Sequence, residues 1–380
     1  MGGFIEYFKR GCKKEEDFRI GLELEHFVVD KNTKKSIGFL GEAGIESILK
    51  KLSNRFSHLS VANGHLFGLE RKDILITIEP GSQLEVSIVP KKDISDIELI
   101  YTQFMDDLLP ILEQHNYELI NSGYLPYSSI NDIVRIPKKR YEYMESYFNK
   151  IGSGAKYMMK GTGAIHVSID YSNESDFSSK YKLAVILSPM IAFVMENTPV
   201  FEGKPYNKHL LRDTIWNDVD PVRVSTDSFW KNNEMTFAGY SDFLRQVPLI
   251  VDVQKGEEEY TEKTVLGKYA NKPISKKNIE HILTMVFPEI RLKSYIEIRT
   301  ADSNPFEKTV RYLKVIKDVF RSSQKVKEYL EWFSDLKIPE DIREAKKCIR
   351  EQGDKAIVYG KPIGEWLKIF HMEELKDKNE

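Results

Sequence analysis

The chain has 380 residues, with 56 Lys and Arg against 58 Asp and Glu, a net charge of -2, 41% hydrophobic and 30% charged residues. This ordinary globular balance excludes a disordered chain and a global basic field able to hold nucleic acid or an anionic membrane, so a small-molecule ligand is the better expectation. The length admits two domains or one large α/β or α+β unit.

The two cysteines, Cys12 and Cys348, have no CxxC or metal-ligand spacing, which fits a reducing compartment rather than a disulfide framework. The opening MGGFIEYFKRGCKKEED lacks an apolar signal segment, and Glu6 stands where a myristoylation motif needs Ser or Thr. The longest apolar run, residues 183–195, is too short to span a bilayer and contains Pro189. A cytoplasmic location is therefore expected, where the sequon at Asn173 carries no weight.

Residues 19–29, RIGLELEHFVV, alternate as a strand, with Glu23 and Glu25 on one face and Leu22, Leu24 and Val28 on the other. Carboxylates so close resist ionising unless a cation sits between them, so this face is either salt-bridged and solvated or a metal site. Residues 41–53 carry a helical stripe of Ile45, Ile48, Leu49 and Leu52. Residues 74–90 read as two strand segments about a turn at Pro80 and Gly81, the second with Gln83, Glu85 and Ser87 opposite Leu84, Val86 and Ile88. Residues 93–116 predict a helix with an acidic start that Pro110 kinks or ends.

After a helix over 138–150, residues 157–171 read as a strand with His166, Ser168 and Asp170 facing away from Ile165, Val167 and Ile169. Residues 181–195 predict a buried helix, and residues 212–239, rich in Asp, Asn and Ser, a long ordered loop. As one strand, residues 287–305 place Arg291, Lys293, Tyr295, Glu297 and Arg299 on one face and Leu292, Ile296 and Ile298 on the other. Helices over 306–333, 339–351 and 362–374 close the chain, which has no fixed-period repeat and no Gly/Ser or Pro-rich linker.

Four strands with an apolar back and a charged front imply a largely antiparallel sheet, helices on one side and a site on the other. Hard carboxylate oxygens suit magnesium, which works with nucleotide phosphates. Taken singly, the Glu23/Glu25 pair is more often a solvated face; the fourfold repetition favours the metal reading. His166 alone is more often structural, but among carboxylates it is equally a ligand. Arg299 is either the surface ion-pair partner of Glu297 or a stabiliser of phosphoryl oxygens. Gly161 and Gly163 are nonspecific, and no Walker lysine loop, GxGxxG, GxSxG or HExxH occurs.

In order, GLELEHFVV, ITIEPGSQLEVS, TGAIHVSIDY, NTPVFEGKP with LLRDTIWND, and FPEIRLKSYIEIRTADSNP resemble the blocks of glutamate–cysteine ligases of the plant and proteobacterial type. The resemblance implies an α+β, glutamine-synthetase-like fold, a largely antiparallel curved sheet with helices packed on the outer face and the active site on the inner face. It implies one catalytic unit over 1–380, with a family-like core over 18–306 and a helical C-terminal portion over 307–380. The implied reaction joins the γ-carboxylate of glutamate to cysteine through γ-glutamyl phosphate, with ATP as co-substrate and Mg2+ as metal.

Carried over residue by residue, Glu23, Glu25, Glu79, Glu85 and Glu297 look like metal carboxylates, with His166 a further ligand. Glu297 and Arg299 look catalytic; Arg291, Lys293 and Arg299 look ATP-binding; Arg212 and Lys160 look substrate-binding. The loop over 212–239 is the candidate lid. Lys160, Gly161 and Thr162 stand where plant members have Arg-Thr-Cys, and Lys160 lacks the arginine fork, which leaves the amine open between cysteine and another amine; His166 stands where they have Gln, which implies a slightly different metal shell. The cysteine pairs of plant redox control have no counterparts. A non-catalytic binder of ATP or amino acid is the remaining alternative, although no implied metal carboxylate is missing. The expected partners are small molecules, not nucleic acid or membrane, for a monomer or homodimer.

Overall fold

The computed structural model describes residues 2–225, 230, 235–254, 257–270 and 272–376. In chain order come α1 (Gly2–Lys9), β1 (Ile20–Asp30), α2 (Ile45–Leu52), β2 (His58–Ala62), β3 (His65–Arg71), β4 (Ile74–Ile78) and β5 (Leu84–Lys91). Next are α3 (Ile94–Gln114), β6 (Tyr117–Ile120), α4 (Lys139–Phe148), α5 (Ala155–Gly161), β7 (Ala164–Ile169) and α6 (Glu174–Val194). Then follow β8 (Val200–Phe201), β9 (Lys204–Pro205), α7 (Leu211–Asn217), α8 (Pro221–Val224), α9 (Phe237–Gln246), β10 (Val251–Gln254), β11 (Glu257–Tyr260), α10 (Val265–Tyr269) and α11 (Lys276–Leu283). The chain closes with β12 (Ile290–Leu292), β13 (Ile296–Asp302), α12 (Phe306–Val319), α13 (Ser323–Glu331), α14 (Glu340–Gln352), β14 (Ile357–Val358), β15 (Lys361–Pro362) and α15 (Ile363–Ile369).

The main sheet is antiparallel throughout, in the order β12-β13-β7-β1-β5-β4-β3-β2, with β6 beside the end of β1. Directly opposed residues share a face, so the register decides which side chains meet. Glu23 lies between Ser87 of β5 and His166 of β7, Glu25 opposes Glu85, Glu85 opposes Thr77 of β4, and Glu297 opposes Arg291. The alternate residues Leu22, Leu24, Leu84, Val86, Ile165 and Val167 point to the other face and are buried. There α2, α3, α6 and α12 cover the sheet. Each such aliphatic side chain contributes about 1.5–3 kcal/mol relative to exposure. This antiparallel sheet with one helical and one charged face is the architecture expected.

Local departures have local causes. Helix α3 runs on through Pro110 to Gln114; the ring lies on the exposed side, where water can reach the carbonyl of Asp106 that Pro110 leaves unpaired. Residues 155–161 form α5 rather than the start of a strand, since Ala, Met and Lys favour helix. The expected single strand over 287–305 is the hairpin β12–β13, which turns at residues 293–295. Arg291 and Glu297 still share a face because they oppose one another. Where a loop was expected, residues 211–217 and 221–224 are helical; residues 226–229 and 231–234 of that stretch lie outside the described residues. The predicted helix over 306–333 breaks at Ser322, whose hydroxyl accepts from the Lys325 amide to start α13. Helix α6, at 21 residues, is long and apolar enough to cross a membrane, yet 83% of its apolar window is buried within the protein, and α13 and α14 pack on it.

Candidate active site

A cleft of about 350 Å³ opens on the charged face of the sheet, and its acidic end is built by β1, β4, β5 and β7. Ligand atoms of Glu23, Glu85 and His166 all lie within 4.8 Å of one another. His166 Nδ1 is 2.9 Å from Glu23 Oε2, Thr77 Oγ1 donates to Glu85 Oε1 at 2.6 Å, and the Ala164 amide donates to Glu25 Oε2 at 3.0 Å. Glu79 follows β4 in a turn held by its amide bond to the Gln83 carbonyl and by Gln83 Nε2 donating to the Thr162 carbonyl. That turn needs Gly81, where a Cβ would sit 2.3 Å from the Lys160 carbonyl oxygen.

Burial outweighs the positive charges that reach most of these carboxylates. Burial pushes Glu25 up to about 8; the charge of Glu79 adds to this, and Arg212 and Arg299 oppose it. Glu85 is driven well above its ordinary value by burial and then by Glu23, Glu79 and Glu25. Glu79 is raised by burial against the pull of Lys138 and Arg140. At Glu23 burial and the Glu297 charge act upward, but the His166 hydrogen bond and Lys293 outweigh them and the net direction is down. Burial and Arg299 bring His166 down to about 4, so the ring is neutral near pH 7. A neutral ring that donates Nδ1–H to Glu23 keeps a lone pair on Nε2, the form of imidazole that binds metal. Oxygen donors in this density, with protonation favoured over unpaired charge, fit a hard divalent cation.

The other end is the β12–β13 hairpin. Glu297, 1% exposed, accepts from Arg291 Nε at 2.6 Å and Arg299 Nη1 at 3.1 Å on Oε2, and from Lys293 Nζ at 2.8 Å on Oε1. Burial acts upward on it, but Arg291, Lys293 and Arg299 hold it well below the usual carboxylate range. Glu297 was expected among the metal ligands. In this structure its oxygens accept from three cations, and it is not one of the Glu23, Glu85 and His166 group. Arg291, expected at the nucleotide, lines the cleft with most of its guanidinium bonded to Glu297 and to the carbonyls of Leu283 and Val286. Lys293 and Arg299 line the cleft with donors to spare, given three N–H on an ammonium and five on a guanidinium.

Arg212 on α7 is 8% exposed, and its Nε has no hydrogen-bond partner among the described residues. Together with Trp216, Phe287 and Arg299 it walls both the cleft and an adjoining cavity of about 310 Å³. Asp302 lies in that cavity, raised by burial to about 6 against the pull of Arg212, and accepts from the Asn197 amide and Thr198 Oγ1. Lys160, expected at the substrate, lines neither space. Its place in the last turn of α5 directs Nζ to the Ile133 carbonyl at 3.1 Å.

Lys138, Arg140 and Tyr141, at and near the start of α4, line the cleft and were not anticipated. The KKRY run at a helix start resembles a solvated face. The available signal was its position opposite an acidic sheet, which only the fold supplies.

Residues 19–324 match the model of the glutamate-cysteine ligase family 2 (GCS2). The chloroplastic glutamate–cysteine ligase of Brassica juncea is 30% identical over 315 residues, which are 80% of this chain and 60% of that protein. Glutamate–cysteine ligase A of Oryza sativa subsp. japonica is also 30% identical, over 80% of this chain and 63% of its own. The chain thus spans about 60% of the length of these curated relatives. A crystal structure of glutamate–cysteine ligase from Francisella tularensis in complex with AMP aligns over 94% of this chain and 76% of that one with a TM-score of 0.55. At 14% identity it speaks to the fold alone. With the family match covering most of its length, the chain belongs to the glutamate–cysteine ligase family 2.

Proposed function

We propose that the protein joins glutamate, through its γ-carboxylate, to the amine of cysteine at the expense of ATP, giving γ-glutamylcysteine for glutathione synthesis. The observation that carries this reading is one cleft with a carboxylate group suited to a divalent cation at one end and buried cations at the other. A second cavity of mixed charge opens beside it across Arg212 and Arg299.

Phosphoryl transfer from ATP to a carboxylate brings two anions together, so positive charge must be in place before attack. Glu23, Glu85 and His166, with Glu25 and Glu79 beside them, would hold Mg2+, which supplies charge neutralisation and orientation of the phosphates. Arg299 and Lys293 offer donors to phosphoryl oxygens, and Glu297 fixes where those donors point. The planar fork of Arg212, unengaged at Nε, suits the α-carboxylate of glutamate. Asp302, in the same cavity, is a carboxylate placed to receive an ammonium. Trp216, Phe287, Met158 and Met159 line the cleft with apolar surface that keeps water from an acyl phosphate. The free thiols Cys12 and Cys348 support a reducing, cytoplasmic setting.

One observation favours a second reading, a ligase using a different amine: part of the adjoining cavity's wall, residues 339–350, lies beyond the family match. Purified protein with ATP and Mg2+ should release phosphate steadily only when glutamate and cysteine are both present. Release with another member of an amine panel would select the second reading, and none with any pair would overturn both.

A further inference from the structure

The arginine read here as holding an amino-acid carboxylate sits on a weak support. Helix α7 is only 7 residues long, its N-cap Leu210 is in the left-handed region at φ 57°, and the N-cap side chain makes no capping bond, the Leu210 amide being met instead by Glu196 Oε2 from outside the helix. Two turns of helix do not hold their own geometry in water, so tertiary contacts must fix α7. Arg212 gives it no hydrogen bond through Nε, which is without a partner among the described residues.

Within the helix, a buried polar anchor comes from the neighbouring residue, Asp213. Lys346 Nζ is 2.7 Å from Asp213 Oδ1, and Arg350 Nη1 is 2.5 Å from Asp213 Oδ2. Both cations lie on α14, one turn apart and therefore on one face. Lys346 also reaches Glu289 Oε1 at 2.5 Å, and the carbonyl of Glu289 accepts the Arg299 amide at 2.8 Å. One ammonium thus ties the helix that carries Arg212 to the residue bonded to the backbone of Arg299. The side chains of Asp213 and Lys346 are 6% and 11% exposed, so salt screens the contact little. Helix α14 begins 16 residues after the family match ends at 324.

We propose that α14 is an added part of this active site: Lys346 and Arg350 are positioning residues that hold Asp213 and so set Arg212 against Arg299 for the amino-acid substrate. The inference rests on the ligase reading, and its test separates the two. The full chain, Lys346→Met, Lys346→Arg and Arg350→Gln are assayed for phosphate release with glutamate and ATP varied in turn. Hydrogen exchange of the α7 amides is followed in the same samples.

Lys346→Met should raise KM for glutamate about tenfold or more, as displacement of a positioning group does, while KM for ATP stays within about twofold. Lys346→Arg should recover most of the loss, and Arg350→Gln should shift KM the same way by less. Exchange in α7 should rise about tenfold in Lys346→Met and stay unchanged in β1 and β5. An inactive wild type would overturn the ligase reading, leaving exchange to judge the positioning. Unchanged α7 exchange, or a fall in kcat and Tm with glutamate KM unmoved, would overturn the proposal. If Lys346→Met does not fold, Arg350→Gln, at a partly exposed residue, decides in the same way.

Discussion

The two ends of the cleft are made by the same sheet but solve the problem of buried charge in opposite ways. At the hairpin, three cations converge on Glu297 and hold it ionised. On β1, β4 and β5 the carboxylates face one another, and Glu25, Glu79 and Glu85 are pushed toward protonation. The first arrangement is complete within the protein. The second leaves buried carboxylates raised toward protonation, a cost in stability that a bound cation would offset and that a function would retain.

The largest break in this contrast should come from Glu297→Gln. Removing the one anion beneath three buried cations should destabilise the protein by about 3–5 kcal/mol and abolish turnover. Urea unfolding and phosphate release measure both, and a variant as stable as wild type would undo the contrast. Glu85→Gln should act in reverse. It relieves repulsion, so the metal-free Tm should equal or exceed that of wild type, while Mg2+ binding weakens about a hundredfold or more, beyond the loss typical of outer-shell changes.

The pH dependence follows from the signs. A carboxylate raised in the folded state, such as Glu25 at about 8 from an ordinary 4.5, contributes stability below about pH 4.5 that is lost as pH rises through about 8. Glu79 and Glu85 shift the same way. Glu297, lowered when folded, contributes above about pH 4.5 and loses its contribution only as pH falls through its depressed value. Thermal melts should therefore show a Tm rise on adding Mg2+ that grows from pH 5.5 to 8.5, corresponding to a stabilisation of about 2.7 kcal/mol where Mg2+ is in hundredfold excess over Kd. The smallest effect is expected for Lys160→Ala: because its ammonium points to Ile133, activity and stability should stay within about 0.5 kcal/mol of wild type.

Much of the acidic end was legible in the sequence because strand alternation has a period of two. Glu23, Glu25, Glu85 and His166 could be assigned to one face without knowing the partners. The hairpin's facing set survived its misreading as one strand because Arg291 and Glu297 are six residues apart, an even number. The placement of β7 between β1 and β13 was not legible, since pairing order is decided by tertiary packing. Nor was the helix bearing Arg212, whose polar RDTIWN run is too short to show a periodic stripe. Arg291, Lys293 and Arg299 could be put on the face of Glu297, but that all three close on it while Glu85 opposes Glu25 comes only from the register and packing.

The most direct measurement is a calorimetric titration of Mg2+ into metal-free protein at pH 7.5, in two buffers of different ionisation enthalpy. A cation entering carboxylates held partly protonated must displace protons. Saturable binding with net proton release, lost in Glu85→Gln, is expected. Absence of binding, or binding with no proton release that Glu85→Gln leaves intact, would contradict a cation site at the acidic end of the cleft.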